Sequence, residues 1–313
     1  MTAELIARIR ELEANISSVV LGKEDVIRHC LVTLLAGEHI LLEDVPGVGK
    51  TLIGKSLAKS IDGRFARIQS TPDLLPADVT GSSIYHAKEQ EFQFIPGPIF
   101  SNIVLADEIN RTTPRTQSSL LEAMGEAQVS ADGTTYPLER PFMVIATQNP
   151  LEFEGTYPLP ESQYDRFLMR ISIGYPARHA ELKVLTTHRE GEPVDHLKPV
   201  LTIDQVLELQ DAVRTIRVDD SISQYILDIA DSTRHCDDLY VGVSTRGALA
   251  MYRACQALAM IEGRDFVIPD DVKRLAVPVL SHRVIGKGYQ HGAQRRATET
   301  LIARLVDDIS VPN

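Results

Sequence analysis

Short apolar runs, each with the length of a buried strand, recur through the first half of the chain. Between them the apolar residues fall at helical spacing, as in Glu24–Leu35 and Thr116–Ala127. Strands that alternate with helices predict an α/β fold with a parallel sheet flanked by helices. The predicted strands are His39–Leu42, Phe65–Ile68, Ile103–Ala106, Phe142–Ala146 and Leu168–Ile173.

Two further segments of this half alternate polar and apolar residues on either side of a turn, which is the pattern of a β-hairpin. The first, Ile84–Ile95, has a charged turn around Lys88 to Glu91, and a surface loop is the alternative there. The second, Gln128–Leu138, turns at Asp132-Gly133. We expect both hairpins to have exposed tips.

The second half of the chain has helical periodicity, and Tyr175-Pro176 marks the change. We therefore expect an α/β domain over residues 1–175 and a small helical domain over residues 176–313. Ser244 or Thr245 is a suitable cap for one of its helices. Arg246 then lies in the first turn, either as a solvated surface charge or reaching back toward phosphate. The predicted helices are Glu181–His188, Ile203–Ile216, Ser221–His235, Thr245–Ile261 and Asp270–Ser281.

The loop after the first strand has the composition of a phosphate-binding loop, and it stands between a strand and a helix as such a loop requires. Gly47 and Gly49 permit backbone angles that turn successive N–H groups inward. Lys50 then reaches the β- and γ-phosphates, and the Thr51 hydroxyl ligates Mg2+. These features favour ATP or GTP binding over an ordinary glycine turn with a surface lysine. The loop residues are Pro46, Gly47, Val48, Gly49, Lys50, Thr51 and Leu52.

Asp44 stands where the usual pattern G-x-x-x-x-G-K-[ST] has its first glycine. That glycine mainly eases the turn out of the strand. Asp tolerates unusual backbone angles better than most residues, so we expect the loop to form despite the substitution.

The acidic pair Asp107-Glu108 follows the strand Ile103–Ala106, at the edge where open α/β sheets bind ligands. Asp107 is suited to an indirect hold on Mg2+, and Glu108 is suited to accept a proton from the attacking water. After a glycine loop and an apolar strand, this pair indicates hydrolysis rather than nucleotide binding alone.

An amide side chain follows the strand Phe142–Ala146, in the segment Thr147-Gln148-Asn149-Pro150. Such a side chain can hydrogen-bond a γ-phosphate or position the water that attacks it. We select Asn149 for this role, and an Asn-Pro turn is the alternative.

Composition and charge narrow the functional classes. No stretch approaches the roughly 20 apolar residues of a membrane span, and residues 1–16 predict an amphipathic helix rather than a signal sequence, so we expect a cytoplasmic protein. The net charge of −11 opposes non-specific binding to nucleic acid. The widely spaced Cys30, Cys236 and Cys255 are expected to be small apolar residues, and the histidines show no zinc-binding pattern.

Taken together, the motifs resemble the AAA+ ATPases, and three segments resemble the MoxR family among them: LLEDVPGVGKT, LADEINRTTPRTQSSLLEAM and ATQNPLEFEGTYPLPESQYDRF. The resemblance covers nearly the whole chain. It implies a P-loop sheet domain followed by a small all-α lid, ATPase activity and a hexameric ring. It also implies chaperone-like maturation or assembly of a protein client, commonly with a partner that has a von Willebrand factor A domain.

The resemblance further implies roles for single residues. Arg111 and Arg115 are rival candidates for a contact between subunits, and the two hairpins match inserts that tend to face the pore of the ring. We expect Arg166 to be exposed on its own subunit and to act on the neighbour's nucleotide. The implied roles are Walker A for Lys50 and Thr51, Walker B for Asp107 and Glu108, sensor 1 for Asn149, arginine finger for Arg166, and sensor 2 for Arg246, in cis or in trans.

Three other functions are alternatives at this point. A nucleic-acid motor like the MCM helicases would use the same active site, but the acidic charge and the lack of an accessory binding domain count against it. A non-catalytic nucleotide switch would bind without turnover, and Glu108 argues against that. A GTPase fits the loop, but the chain has no N-K-x-D segment to read guanine.

Overall fold

A parallel sheet lies at the centre of the first half of the chain. The structure is a computed structural model and describes residues 3–45, 47–88, 90–149, 156–187, 191–287 and 294–312. The strands within these residues are Ile40–Glu43 (β1), Phe65–Gln69 (β2), Gly81–His86 (β3), Glu91–Pro96 (β4), Ile103–Asp107 (β5), Gln128–Ala131 (β6), Thr134–Pro137 (β7), Met143–Gln148 (β8), Met169–Ile171 (β9), Leu239–Val241 (β10) and Ile285–Gly286 (β11).

Helices precede, flank and follow the sheet, and short 3-10 helices include Ile109–Arg111 and Ser281–Arg283. The α-helices of the described residues are Ala3–Ser17 (α1), Glu24–Ala36 (α2), Lys50–Ser60 (α3), Pro76–Thr80 (α4), Pro114–Glu126 (α5), Glu161–Tyr164 (α6), Arg178–Thr187 (α7), Ile203–Val213 (α8), Asp220–Arg234 (α9), Thr245–Ile261 (α10), Pro269–Leu280 (α11) and Gln294–Asp308 (α12).

The central sheet has the strand order β2-β5-β8-β1-β9, and each neighbouring pair is parallel. This confirms the predicted sheet. Its middle strands are continuous apolar runs because both faces are covered, and side chains alternate between the two faces. Leu42 and Leu105 face the core that includes α2 and α3, whereas Leu41 and Val104 face the core that includes α5. All five carboxyl ends therefore meet at one edge.

Both predicted hairpins are present. Strands β3 and β4 pair antiparallel from Gly81↔Pro96 to His86↔Glu91, which excludes the surface-loop alternative. Strands β6 and β7 pair antiparallel around Asp132-Gly133. The two hairpins pack on each other through Phe94 and Tyr136, whose rings are stacked with centroids 4.0 Å apart.

Helices α7 to α12, which we call the lid, form most of the second half. The prediction for α10 is confirmed at both ends, and the side chain of Ser244 caps it by accepting from the Gly247 amide. Helix α12 and the short β10–β11 pair, which interrupts the expected all-helical structure, were not predicted from the sequence. Residues of the lid and of α1 and α2 share one core with one face of the sheet, so the boundary after Tyr175 stays a prediction.

Two smaller expectations concern cysteines and membrane spans. Cys30 and Cys255 are buried, and burial raises the pKa of Cys30 to about 12, as expected for small core residues, whereas Cys236 is only partly buried. In the part of the chain that the structure describes, no helix is both long and apolar enough to cross a membrane.

Candidate nucleotide-binding site

The loop between β1 and α3 has the backbone that phosphate binding requires. Gly47 and Gly49 have φ angles of 84° and 93°, in the left-handed region that favours glycine. A Cβ placed on either residue would meet nothing within 4 Å, so the backbone angle requires glycine here and crowding does not. Gly49 directly precedes α3, whose first N–H groups have no partners within the helix and can bind an anion.

The remaining loop residues that the structure describes are buried or partly buried. Val48 is buried in the core, and Leu52 packs against it. Lys50 is 7% exposed, and its Nζ donates to the carbonyl of Asp44 at 2.9 Å. Thr51 is partly buried in the first turn of α3. Pro46 lies outside the described residues.

Asp44, which stands in place of the first glycine, contributes to the loop through its side chain. The expectation that it is accepted for its tolerance of unusual backbone angles is therefore wrong. Its φ is not among the positive angles found in the described residues. One carboxylate oxygen accepts from the Val45 amide at 2.8 Å, and the other accepts from Ile173 and Gly174 at 2.7 and 2.5 Å. Asp44 therefore ties the phosphate loop to the chain that leaves β9 for the lid.

Thr147, a residue of β8 that the sequence does not single out, bonds both members of the acidic pair: the carboxylate of Asp107 and the backbone amide of Glu108. The Thr147 hydroxyl donates to Asp107 Oδ1 at 2.6 Å and accepts from the Glu108 amide at 2.8 Å. Glu108 has a left-handed backbone, with φ of 56° and ψ of 50°. The hydroxyl thus fixes the turn by which the chain leaves β5.

Arginines already contact both carboxylates. Arg67 Nη2 donates to Asp107 Oδ2 at 2.6 Å. Arg111 Nη1 donates to Glu108 Oε2 at 3.0 Å, and Gln69 Nε2 approaches the same oxygen at 3.3 Å. Arg111, a rival candidate for contact with a neighbouring subunit, is therefore paired within its own chain.

Asn149 follows β8 and is 6% exposed. Strand β8 pairs with β1 on one side and with β5 on the other. The end of β8 consequently lies between the loop that carries Lys50 and the acidic pair. The structure thus brings together, at one edge of the sheet, the residues predicted to act on phosphate from three separate parts of the chain.

Apart from Arg111, the predicted arginines are Arg166, Arg115 and Arg246. Arg166 is partly buried rather than exposed, because its Nη1 donates to the Leu121 carbonyl on α5 at 2.7 Å. The expected exposure of Arg166 is therefore wrong, since a helix carbonyl accepts a hydrogen bond from the partly buried guanidinium. Arg115 and Arg246 are exposed in the first turns of α5 and α10.

Two lid arginines that the sequence analysis did not select contact the sheet domain. Arg283 bonds Asp165 through its Nε at 2.8 Å. Arg295 donates from Nη1 to Glu43 Oε2 at 2.8 Å and from Nη2 to Ser172 Oγ at 2.9 Å. No motif or spacing indicates these pairs, since the partners lie 118 and 252 residues apart in the chain.

Comparisons with known proteins agree with this geometry. The family model described as the ATPase family associated with various cellular activities (AAA) matches residues 39–169, and the AAA lid domain model matches residues 231–305. The uncharacterized protein YeaC of Bacillus subtilis is 50% identical over 95% of this chain and 93% of its own length. Chaperone MoxR1 of Mycobacterium tuberculosis is 38% identical, with 98% of this chain and 84% of the relative covered.

A solved structure also resembles the whole chain. The crystal structure of a candidate ATPase from Cytophaga hutchinsonii matches with a TM-score of 0.91 and 37% sequence identity, covering 99% of this chain and 96% of that one. The similarity therefore extends through both the sheet and the lid.

Proposed function

The chain belongs to the MoxR family of AAA+ ATPases, and from this premise we propose that it hydrolyses ATP with Mg2+ and uses the turnover to remodel, mature or assemble a protein client. The observation that carries the proposal is the meeting of Lys50, the pair Asp107-Glu108 and Asn149 at the carboxyl ends of the adjacent strands β1, β5 and β8. A glycine loop, two carboxylates and an amide at one edge form the set that phosphoryl transfer to water needs.

Phosphate binding is assigned to the loop of residues 46–52. Its N–H groups and the first turn of α3 favour an anion. The Lys50 ammonium moves from the Asp44 carbonyl to the β- and γ-phosphates, where it meets a full negative charge.

Mg2+ binding is assigned to Thr51 and Asp107. A hydroxyl and a carboxylate are oxygen donors of the kind that Mg2+ prefers, and Thr147 holds the carboxylate in a fixed orientation. The ion would neutralise charge on the β- and γ-phosphates. Arg67 must give up its bond to Asp107 Oδ2 for that oxygen to face the ion while Thr147 keeps its bond to Oδ1.

Hydrolysis is assigned to Glu108 and Asn149. Glu108 accepts the proton of the attacking water, and Asn149 orients that water or bonds the γ-phosphate. Arg111 and Gln69 both bond Glu108 Oε2, so we assign the proton transfer to the other carboxylate oxygen, Oε1.

A hexameric ring would complete the site. We assign Arg166 to the neighbour's nucleotide, where a guanidinium stabilises charge on the transferring group; Arg111 and Arg115 are the alternatives. Arg246 is assigned to phosphate contact from the lid, in cis or in trans. To reach the neighbour's nucleotide, the Arg166 side chain must give up its bond to the Leu121 carbonyl.

Client contact is assigned to the two hairpins. Tyr85 and Phe92, with 51% and 74% of their surfaces exposed, form a ring pair with centroids 5.2 Å apart on the first hairpin. Exposed apolar side chains at a loop tip are suited to binding a protein. We further propose that the protein acts in the cytoplasm and that it has a partner with a von Willebrand factor A domain.

The test begins with phosphate release by the purified protein. ATP should be hydrolysed, EDTA should abolish the activity, and GTP should compete poorly. Salt-sensitive stimulation by DNA would instead favour a nucleic-acid motor. Binding of ATP without any turnover would identify a nucleotide switch.

Client capture tests the second half of the proposal. The Glu108→Gln protein with ATP should retain a client that the wild type releases, while Lys50→Ala serves as the control that cannot bind ATP. Shortening the tip of either hairpin, outside the Phe94–Tyr136 stack, should spare ATP binding and weaken remodelling of the captured client. Loss of the fold on shortening would show that the tips belong to the core.

A further inference from the structure

A buried guanidinium outside the proposed site joins the lid to the sheet domain. Arg283 ends the 3-10 helix that follows α11, and its side chain is 3% exposed. Its Nε donates to Asp165 Oδ1 at 2.8 Å, and its Nη atoms donate to the carbonyls of Phe167 and Leu168 at 2.7 and 3.0 Å. These bonds satisfy a charge whose burial is otherwise costly. The planar fork of arginine lets one side chain make all three.

The segment that Arg283 holds contains Arg166. The Arg166 amide donates to Gln163 O at 3.2 Å, and its guanidinium lies on α5. Because Arg283 bonds both chain neighbours of Arg166, the Arg166 backbone cannot shift without breaking those bonds. The lid therefore fixes the point from which the Arg166 side chain extends.

The stem of Arg283 also packs on the first turn of α10, which carries Arg246. A Cβ placed on Gly247 would lie 2.9 Å from Arg283 Cδ, closer than real Cβ atoms approach their neighbours. Burial lowers the pKa of Arg283, and the positive charge of Arg246 contributes to that lowering. One side chain thus touches the segments that carry both arginines assigned to phosphate.

We propose that Arg283 is a positioning residue that fixes Arg166 and couples its position to that of Arg246. The inference rests on the proposed function, in which both arginines face phosphate. When Arg246 follows a bound nucleotide, the first turn of α10 moves with it. The close contact at Gly247 carries that movement to Arg283 and so to the segment around Arg166. With Arg246 acting in cis, the nucleotide of one subunit thereby changes the position of the arginine that this subunit presents to its neighbour.

A double-mutant cycle in ATP turnover tests the inference. Arg283→Lys keeps the charge but loses the fork, and Asp165→Asn removes the charged partner from the less buried side of the pair. Each should lower kcat by about 10- to 100-fold, the scale of a displacement of about 1 Å at a reacting group. KM for ATP should change by less than about twofold, because the loop binds phosphate independently.

The decisive comparison uses the Arg166→Ala background. If Arg283 acts through Arg166, neither Arg283→Lys nor Asp165→Asn lowers kcat further once Arg166 is absent. An equal loss of kcat in both backgrounds would overturn the inference. Arg304→Lys is the matched control, since it makes the same change in an exposed lid ion pair with Asp238, and it should leave kcat unchanged.

A measurement without turnover separates this inference from the proposed function. In Arg283→Lys, the amides of residues 165–168 should exchange hydrogen faster than in the wild type, while those of α5 keep their rate. Unchanged exchange at 165–168 contradicts a positioning role, whether or not the protein hydrolyses ATP. If Arg283→Lys does not fold, Asp165→Asn gives the same two readouts. Absence of any ATPase activity in the folded wild type would count against the proposed function, not against this contact.

Discussion

The carboxyl edge of the sheet and the contact between lid and sheet hold their charges differently. At the edge, Arg67 and Arg111 pair with the site carboxylates while 48% and 44% of their own side chains remain exposed. At the lid contact, Arg283 and Arg295 are 3% and 22% exposed, and backbone carbonyls take up much of their bonding capacity. Exposed ion pairs contribute little stability, so their partners can be replaced at low cost. A buried charge is destabilising without its partners, so it stays bonded to them.

The difference suggests a division of labour. In the function that we propose, the charges at the edge are exchanged for phosphate and Mg2+, and those at the lid contact hold the position of other residues. Substitutions at the edge should therefore change binding and chemistry directly, while substitutions at the lid contact should act through other residues.

Lys50→Ala should have the largest effect. Removal of the ammonium leaves a loop that offers only N–H groups to the β- and γ-phosphates, and hydrogen bonds to charged groups contribute about 1.5–3 kcal/mol each. We expect ATP affinity, measured by calorimetry, to be lost together with turnover. Lys55→Ala, an exposed lysine of the same helix, is the matched control and should bind normally. Unchanged affinity in Lys50→Ala would contradict the phosphate-loop assignment.

Arg166→Ala should bind ATP normally and hydrolyse it about 10³–10⁵-fold more slowly, the range measured for arginine fingers. Nucleotide affinity and phosphate release on the same preparation check this expectation. Arg166 itself belongs to neither region. Its side chain lies on α5, and the carbonyl of the next residue, Phe167, accepts from Arg283 of the lid.

Mixing experiments decide whether Arg166 acts across subunits. Arg166→Ala subunits mixed with Lys50→Ala subunits should regain some activity, because an intact loop can then face an intact Arg166. If mass measurements show mixed rings and the mixture stays inactive, the trans assignment is wrong and Arg111 or Arg115 becomes the better candidate.

Asp44→Ala should have an intermediate effect, because Asp44 lies at the edge and bonds the chain that leaves β9 for the lid. The variant loses charge-assisted bonds to the amides of Ile173 and Gly174, so we expect the free energy of unfolding to fall by about 2 kcal/mol. KM for ATP should rise as the loop loses its anchor. Chemical denaturation and steady-state kinetics measure the two effects. Asp237→Ala, which removes an exposed carboxylate of the lid, should change neither quantity. If Asp44→Ala is as stable as the wild type, Asp44 does not anchor the loop.

Acid should have the smallest effect, through two buried histidines: His39, which precedes β1 at the opposite edge of the sheet, and His282 at the lid contact. His39 Nδ1 accepts from the Val144 amide at 3.0 Å, so a second ring proton has no acceptor there. Burial lowers the pKa of His39 below its ordinary value of 6.5, and it lowers the pKa of His282 at the lid contact further.

The sign follows from these two shifts. The unfolded chain binds protons at these histidines near pH 6.5 and the folded chain does not, so stability is full above that pH and falls as the pH drops below it. Each histidine contributes at most about 1.4 kcal/mol per pH unit. Unfolding measured between pH 7.5 and 5.5 should show a shallower slope in His39→Gln and in His282→Gln, but not in His235→Gln, whose ring is exposed. Equal slopes in all variants would contradict this account.

Local sequence predicted the edge well for a physical reason. Strands β1, β5 and β8 are apolar up to Leu42, Ala106 and Ala146 because the sheet is covered on both faces, and parallel pairing brings their ends together. A residue that follows such a strand, like Lys50, Glu108 or Asn149, is therefore placed by its position in the chain. The two hairpins could also be predicted from the sequence, because the alternation of polar and apolar residues and the turn residues are local signals.

The lid contact was not predictable in this way. Arg283 and Arg295 lie among polar residues after the helical periodicity weakens, and their partners are distant in sequence. Helix α12 carries a thin apolar stripe, with Leu301, Ile302 and Val306 buried among charged residues. The Arg166 guanidinium bonds a backbone carbonyl of α5, and no pattern of side chains in the sequence predicts such a partner.

The central claim, that this edge of the sheet hydrolyses ATP with Glu108 as its base, is tested most directly by the Glu108→Gln protein. ATP affinity and the rate of phosphate release are measured on one preparation with Mg2+ present. The amide keeps the shape of the side chain and loses the base, so we predict wild-type affinity and turnover slower by about 10²–10⁴-fold. Near-normal turnover would contradict the account and place the base elsewhere.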